Sequence, residues 1–253
     1  MKAVVFIGAG PGAADLITVR GAQRLGAADV VLFDALTDPA LRDLAPRARW
    51  VDVGKRGFCD STGQVAINAL LVRHARTGRA VVRLKGGDPS VFGRLEEELQ
   101  ALAAAGIAAE VVPGVTAAIA AAAATQRPLT RRGTGRSVSL ATAMTRNGAL
   151  QAPRAADTEV FYMAGRQLTM LGRRLSQAGW PADTPVLVVS RASWPDQLAS
   201  DHRLTTLAEA GLLHAGRPTV VTVGAGAAPI AASMWAVPAA AQGLARQEAQ
   251  LQP

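Results

Sequence analysis

The sequence predicts an α/β protein built as two α/β domains. Three observations carry this prediction. Short apolar runs alternate with helical patterns through the first half of the chain, two of those runs lead into glycine-rich turns, and the composition shifts between Arg127 and Gly135 to Pro, Arg, Thr and Gly. At 253 residues, with roughly 150 per domain as the prior, the chain suits one large or two ordinary domains, and the shift favours two.

Taken in order, Ala3 to Ile7 reads as the first strand. The turn Gly8-Ala9-Gly10-Pro11-Gly12-Ala13 follows, then a helical pattern in Leu16, Val19, Ala22 and Leu25. Val30 to Phe33 forms a second strand closed by Asp34, and a short strand lies near Trp50 to Val53. Ser61-Thr62-Gly63-Gln64 has the form of a capping box, opening a helix with Ile67, Leu70, Leu71 and His74 on one face. Ala80 to Leu84 is an apolar strand, and the loop from Lys85 to Arg94 passes into a helix marked by Leu95, Leu99 and Leu102. Ala109 to Val112 makes another strand, and Pro113-Gly114 turns the chain into an alanine-rich helix from Val115 to about Thr125.

The expected domains are 1–130 and 136–228, with 229–253 a poorly ordered tail. Strands in the second domain fall at Ser137 to Thr142, Glu159 to Met163, Pro185 to Ser190 and Thr219 to Val223, with a helix at Leu168 to Ala178. Alternation in Gln197 to Leu204 predicts a further, half-exposed strand.

Composition narrows the function. The single Cys59 forms no internal disulfide, the scattered His74, His202 and His214 lack metal-ligand spacing, and the cytoplasm is the expected compartment. No signal peptide is expected, because the apolar start is short and runs into glycines. The stretch Val115 to Ala124 falls below the ~18 residues of a membrane span. An excess of 27 Lys+Arg over 19 Asp+Glu favours an acidic partner. Aromatics are only 4%, and the tight basic clusters are Arg131-Arg132 and Arg173-Arg174, which argues for a polycarboxylate metabolite over nucleic acid.

The candidate site lies where strands open onto glycine-rich turns. In open α/β sheets ligands bind beyond the carboxyl ends of the strands, and paired glycines let a backbone approach one closely. Two such turns imply a nucleotide-like ligand. The first also fits G-x-G-x-x-G/A, with Asp34 near the ~20-residue spacing of a ribose-binding acid, so a nicotinamide-dependent dehydrogenase is a competing reading.

Further motifs stand in register: Ile7 to Gly12, Phe33-Asp34, Val53-Gly54-Lys55-Arg56, Lys85 to Arg94, Glu96-Glu97, Val112 to Ala117, Pro128-Leu129-Thr130, Phe161-Tyr162-Met163 and Val223-Gly224. On these, roughly residues 3 to 226 resemble the tetrapyrrole methylases, and within them the uroporphyrinogen-III C-methyltransferases, which convert uroporphyrinogen III to precorrin-2 for sirohaem and cobalamin synthesis. The resemblance implies two α/β domains with a cleft between them for S-adenosylmethionine, and pairing as a homodimer.

Residue by residue, the resemblance puts Pro11, Gly86, Gly87, Asp88, Val91, Thr116, Ala117, Met163 and Ala192 against that cofactor. It makes Asp34 the proton acceptor and Lys55 the donor. It sets Arg94, Glu97, Arg132 and Met163 around the macrocycle, with Arg94 also in catalysis. Asp88 suits its place, since a carboxylate there accepts from ribose or amino groups, although it would equally serve as a turn cap. Arginines suit a polycarboxylate because they stay charged and bind two-pronged.

The chain departs from the family pattern at Ala35, Phe58, Cys59, Leu95-Glu96, Arg131, Ala143-Met144 and Arg191. Fewer polar donors near the substrate leave another precorrin or a different scaffold as the alternative. Because Met1 to Ile7 already forms the first strand, a single-activity enzyme is expected rather than a fused sirohaem synthase.

Overall fold

The computed structural model describes residues 2–54, 63–143, 152 and 154–230. Five strands form a first, all-parallel sheet: β1 (Val4–Gly8), β2 (Val30–Phe33), β3 (Arg49–Asp52), β4 (Val81–Lys85) and β5 (Ala109–Val112), in spatial order β3-β2-β4-β1-β5. A second sheet holds β6 (Val138–Thr142), β7 (Thr158–Tyr162), β8 (Pro185–Ser190), β9 (Leu198–Arg203) and β10 (Thr219–Gly224), in order β6-β7-β10-β8-β9. There only β6 and β7 run parallel, and the other pairs are antiparallel.

Alternation along the strands sets the layers. On one face of the first sheet Val4, Phe6, Val30, Leu32 and Val81 pack under Leu71 of α2 (Gln64–Ala75) and Leu102 of α3 (Leu95–Ala104). On the other face Ile7, Val31, Val82 and Leu84 meet Leu25 of α1 (Val19–Gly26) and Leu41 of a short 3-10 turn. With both faces covered, β4 is buried throughout, yet it carries Arg83 and Lys85 on the α3 side.

The alanine-rich helix α4 (Ala117–Ala124) has its partners on the second sheet. Ala118 meets Val160, Tyr162 and Val220, while Ala120 and Ala121 meet Leu187 and Val189. The opposite face of that sheet takes α5 (Leu168–Gln177) through Leu171 and Leu175, beside Leu207. The short α6 (Ala210–His214) completes the layer.

Strand bounds fall within a residue or two of expectation, and β9 alternates between exposed and half-buried positions as its pattern suggested, but Leu16, expected in the first helix, lies in a separate 3-10 turn before α1. The start of α2 differs: its N-cap is Gly63, which has no side chain to cap with. Lys55, Phe58, Cys59, the Ser61-Thr62 half of the expected capping box, Met144 and the tail beyond 230 lie outside the described residues. Among the described residues no helix is long and apolar enough to cross a membrane.

Candidate functional site

The carboxyl ends of β1, β4 and β5 converge through glycine. Gly10 and Gly87 form an antiparallel bridge, with N–H to carbonyl distances of 3.3 and 2.7 Å, so the two glycine turns are joined to each other. Behind them a Cβ on Gly114 would stand 2.4 Å from the Gly87 carbonyl, and one on Gly8 would stand 2.5 Å from the Gly114 Cα. Only glycine permits so close a meeting.

That closure places Asp88. Its Oδ2 accepts the Gly114 N–H at 2.9 Å, and its Oδ1 accepts the Ser90 N–H at 2.8 Å together with the Ser90 hydroxyl. Partial burial works to raise the Asp88 carboxyl, but the hydrogen bonds from Ser90 and Gly114 outweigh it and hold the group below the usual carboxylate range. Asp88 therefore does cap its own turn. A carboxylate has about four lone-pair sites, so three protein donors still leave room for a ligand.

A cleft of about 860 Å³, its open mouth included, lies between this junction and the second sheet. Its wall takes Pro11 from the first turn, Gly86, Gly87, Asp88 and Val91 from the second, Thr116 and Ala117 at the start of α4, and Met163 and Ala192 after β7 and β8. The nine positions that the resemblance assigns to the methyl donor thus share one cavity. One carboxylate, a hydroxyl at Thr116 and apolar walls at Val189 and Val220 suit a ligand that is cationic and hydroxylated at one part and flat and apolar at another.

Further residues shape the wall beyond the nine assigned to the methyl donor. Tyr162 bonds the Thr116 hydroxyl at 2.8 Å, accepts the Ala118 N–H at 3.3 Å and stands 5.0 Å from the Phe92 ring, and burial pushes its phenol up. Trp194 donates to the Pro11 carbonyl at 3.2 Å, Ser193 accepts the Ala13 N–H, and the Arg191 guanidinium sits 4.4 Å above the Trp194 ring. The loop after β8 thereby straps the first glycine turn. Phe92, Met163 and Arg191 on the wall hold left-handed φ values of 53°, 57° and 49°, a conformation that costs non-glycine residues and concentrates at functional sites. Tyr162, Phe92 and Met163 lay within quoted motifs and Arg191 among the departures; Trp194 gave no signal, because an isolated loop tryptophan has no periodic pattern to read.

The proton-handling and substrate set is more dispersed. Of it, Met163 lies on the cleft wall. Asp34 stands at the end of β2, two residues before the wall residue Leu36, and its Oδ1 takes the Arg83 Nη2 at 2.6 Å. Arg94 and Glu97 form a two-pronged pair at 2.8 and 2.7 Å at the start of α3, roughly half exposed, which raises the Arg94 guanidinium further. Arg132 is exposed on the turn closed by the Arg131–Gly135 bridge. Two of the departures have partners of their own: Arg131 bonds the Ala228 carbonyl, and Arg191 pairs with Asp196.

This geometry also counts against the dinucleotide reading. The first glycine turn leads into a 3-10 turn at Ala14–Leu16, and α1 starts only at Val19 after its cap Thr18, so the helix does not open directly from the glycines as the dinucleotide fingerprint requires. Asp34, the expected ribose acid, is held by Arg83.

The comparisons agree with the cleft. Residues 3–210 match the family model of the tetrapyrrole (corrin/porphyrin) methylases. A uroporphyrinogen-III C-methyltransferase of Pseudomonas aeruginosa is 42% identical over 87% of this chain and 92% of its own length. A sirohaem synthase of Neisseria meningitidis is also 42% identical, but the chain spans only 47% of it. The crystal structure of a uroporphyrin-III C-methyltransferase from Thermus thermophilus, complexed with S-adenosyl homocysteine, superposes with a TM-score of 0.76 at 36% identity, covering 88% of this chain and 97% of that one. The chain belongs to the tetrapyrrole methylases.

Proposed function

We propose that this protein transfers two methyl groups from S-adenosylmethionine to carbons of uroporphyrinogen III, giving precorrin-2. The observation that carries the proposal is the cleft in which Pro11, Gly86, Gly87, Asp88, Val91, Thr116, Ala117, Met163 and Ala192 meet, in a chain of this family. In this reading those residues hold the cofactor. Asp88 faces its cationic or ribose part, and the apolar wall takes its flat part. S-adenosylmethionine brings an already activated methyl group, so the protein contributes chiefly position, worth up to ~10 kcal/mol for reactants held in line.

Attack by a pyrrole carbon leaves a proton to be shed, and in this reading Asp34, two residues before the wall residue Leu36, accepts it. Lys55 is proposed as donor on the strength of the resemblance. Arg94 and Glu97 at the α3 terminus, with Arg132, orient the carboxylates of the ring and draw on the chain's net charge of +8. The division into domains at about residues 130 to 136, a cytoplasmic location and the absence of a nucleic-acid partner belong to the same reading. So does a homodimer, supported by apolar side chains left exposed at Ile119 on α4 and at Val138 and Leu140 on the edge strand β6.

A second substrate, another anionic precorrin, is favoured by one feature: Arg131 and Arg191 spend their guanidinium groups on Ala228 and Asp196. Anaerobic incubation with uroporphyrinogen III and S-adenosylmethionine, read by mass, decides between the two. A product heavier by two methyl groups is expected, and no mass gain with uroporphyrinogen III would transfer the activity to another ring. Calorimetry with S-adenosylhomocysteine is expected to give binding near ~1 μM, with none for NADH or a short RNA. Light scattering at twice the chain mass would support the dimer.

A further inference from the structure

The central strand of a covered parallel sheet is ordinarily a continuous apolar run. Here β4 puts Arg83 and Lys85 on the side facing α2 and α3, each 2% exposed, where they meet Glu98 of α3, fully buried. Glu98 takes three donors: its Oε1 accepts Arg83 Nε at 3.1 Å and Gln64 Nε2 at 3.2 Å, and its Oε2 accepts Lys85 Nζ at 2.9 Å. Stability does not account for this cluster, because well-packed apolar side chains of like volume serve a core as well as buried ion pairs or better.

The cluster leads outward to one group. The Arg83 guanidinium is fixed on three edges, by Glu98 through Nε, by the Leu84 carbonyl at 3.1 Å through Nη1, and by Asp34 Oδ1 at 2.6 Å through Nη2. Its plane cannot turn without breaking a buried contact. Asp34 is the one partly exposed member, with 30% of its side chain open and its Oδ2 without a partner among the described residues. The main chain of Asp34 is also tied, its N–H to Leu84 and its carbonyl to the Thr37 hydroxyl. The other charges near it on packed elements are Lys85 on β4 and, beyond that, Glu98 on α3. Burial and the neighbouring Arg83 push the Lys85 ammonium down, while Glu98 and Asp34 oppose that.

We propose that Arg83, anchored by Glu98, is a positioning residue: it holds the Asp34 carboxylate by one oxygen and turns the other toward the cleft edge. This rests on the role given to Asp34 above. Lysine in place of Arg83 would keep a charge but lose the fork that reaches Glu98, Leu84 and Asp34 together.

The test is steady-state methyl transfer by Arg83→Lys, Asp34→Asn and the double variant, with calorimetry of S-adenosylhomocysteine alongside. Each single change is expected to lower kcat by about 10-fold or more while the affinity for the homologue stays within about twofold. The double variant should be no slower than Asp34→Asn, because a residue that acts only through Asp34 has nothing further to lose. Wild-type kcat in Arg83→Lys, or losses that multiply in the double variant, would overturn the proposal. Loss of homologue binding in Arg83→Lys would also overturn it, by making Arg83 part of the fold. A fully active Asp34→Asn would instead remove the role of Asp34 itself, an outcome distinct from failure of Arg83 alone.

Discussion

Around β4 the groups sealed from solvent are the full charges of Arg83, Lys85 and Glu98, whereas around β8 and β10 they are Ser190, Thr219, Thr222 and the imidazole of His214. The second set satisfies itself cheaply. Thr219 and Ser190 lie 3.2 Å apart, Ser190 bonds His214 Nδ1, and His214 Nε2 reaches Ser200 at 2.9 Å. Hydroxyls need one or two partners to be buried, while ions cost several kcal/mol each even after relaxation. The dearer arrangement stands at the strand ends that form the cleft, and the cheaper one fastens α6 and β9 to their sheet.

The widest separation between the two regions is expected from Glu98→Leu, which takes from the buried Lys85 ammonium its Glu98 carboxylate and leaves Arg83 only Asp34 and main-chain carbonyls. Urea unfolding should show a loss of about 3–5 kcal/mol, and a loss under about 1 kcal/mol would erase the distinction between the sheets. Gly114→Ala comes next. Its methyl would collide with the Gly87 carbonyl, so about 1–3 kcal/mol of stability should go, together with affinity for S-adenosylhomocysteine measured by calorimetry.

A subtler contrast is expected on acidification. Burial first, then the charges of His202 and Arg217, depress the His214 imidazole below its ordinary value, so the unfolded chain takes up that proton before the folded one. The contribution is whole above the unfolded value of about pH 6.5 and is lost as the pH falls through the lower folded value. Melting temperatures recorded from pH 8 to about pH 5 should decline at the acid end, and less steeply in His214→Gln. His74, depressed mainly by burial, acts with the same sign, so some slope remains. The smallest structural effect belongs to Arg94→Ala, since its pair with Glu97 is half exposed and worth no more than about 0.5 kcal/mol. Methyl transfer should nevertheless collapse in that variant, which separates a residue that binds from one that braces.

What the sequence made legible follows from what leaves a pattern. Glycines after apolar strands pointed to Gly86, Gly87 and the Asp88 turn, and alternation revealed β9. The packing of α4 was hidden because a run of alanines broken only by Ile119 has no distinctive face, so its choice of the second sheet emerges only from contacts with Val160 and Leu187. The antiparallel pairing of β8 and β10 was likewise unreadable, since a buried apolar run looks the same in either direction. Arg83, Lys85 and Glu98 were visible as letters, but their meeting depends on α3 lying across β4. Trp194 could not be placed at all, because its partner Pro11 is 183 positions away in the chain.

That last contact bears on how the protein is made. A ribosome extends the chain from its amino end, so the first glycine turn exists long before the strap that covers it has been synthesised. Nascent or prematurely terminated polypeptides ending before Trp194 therefore carry an unfinished cleft, and those ending before Val220 still lack part of its wall.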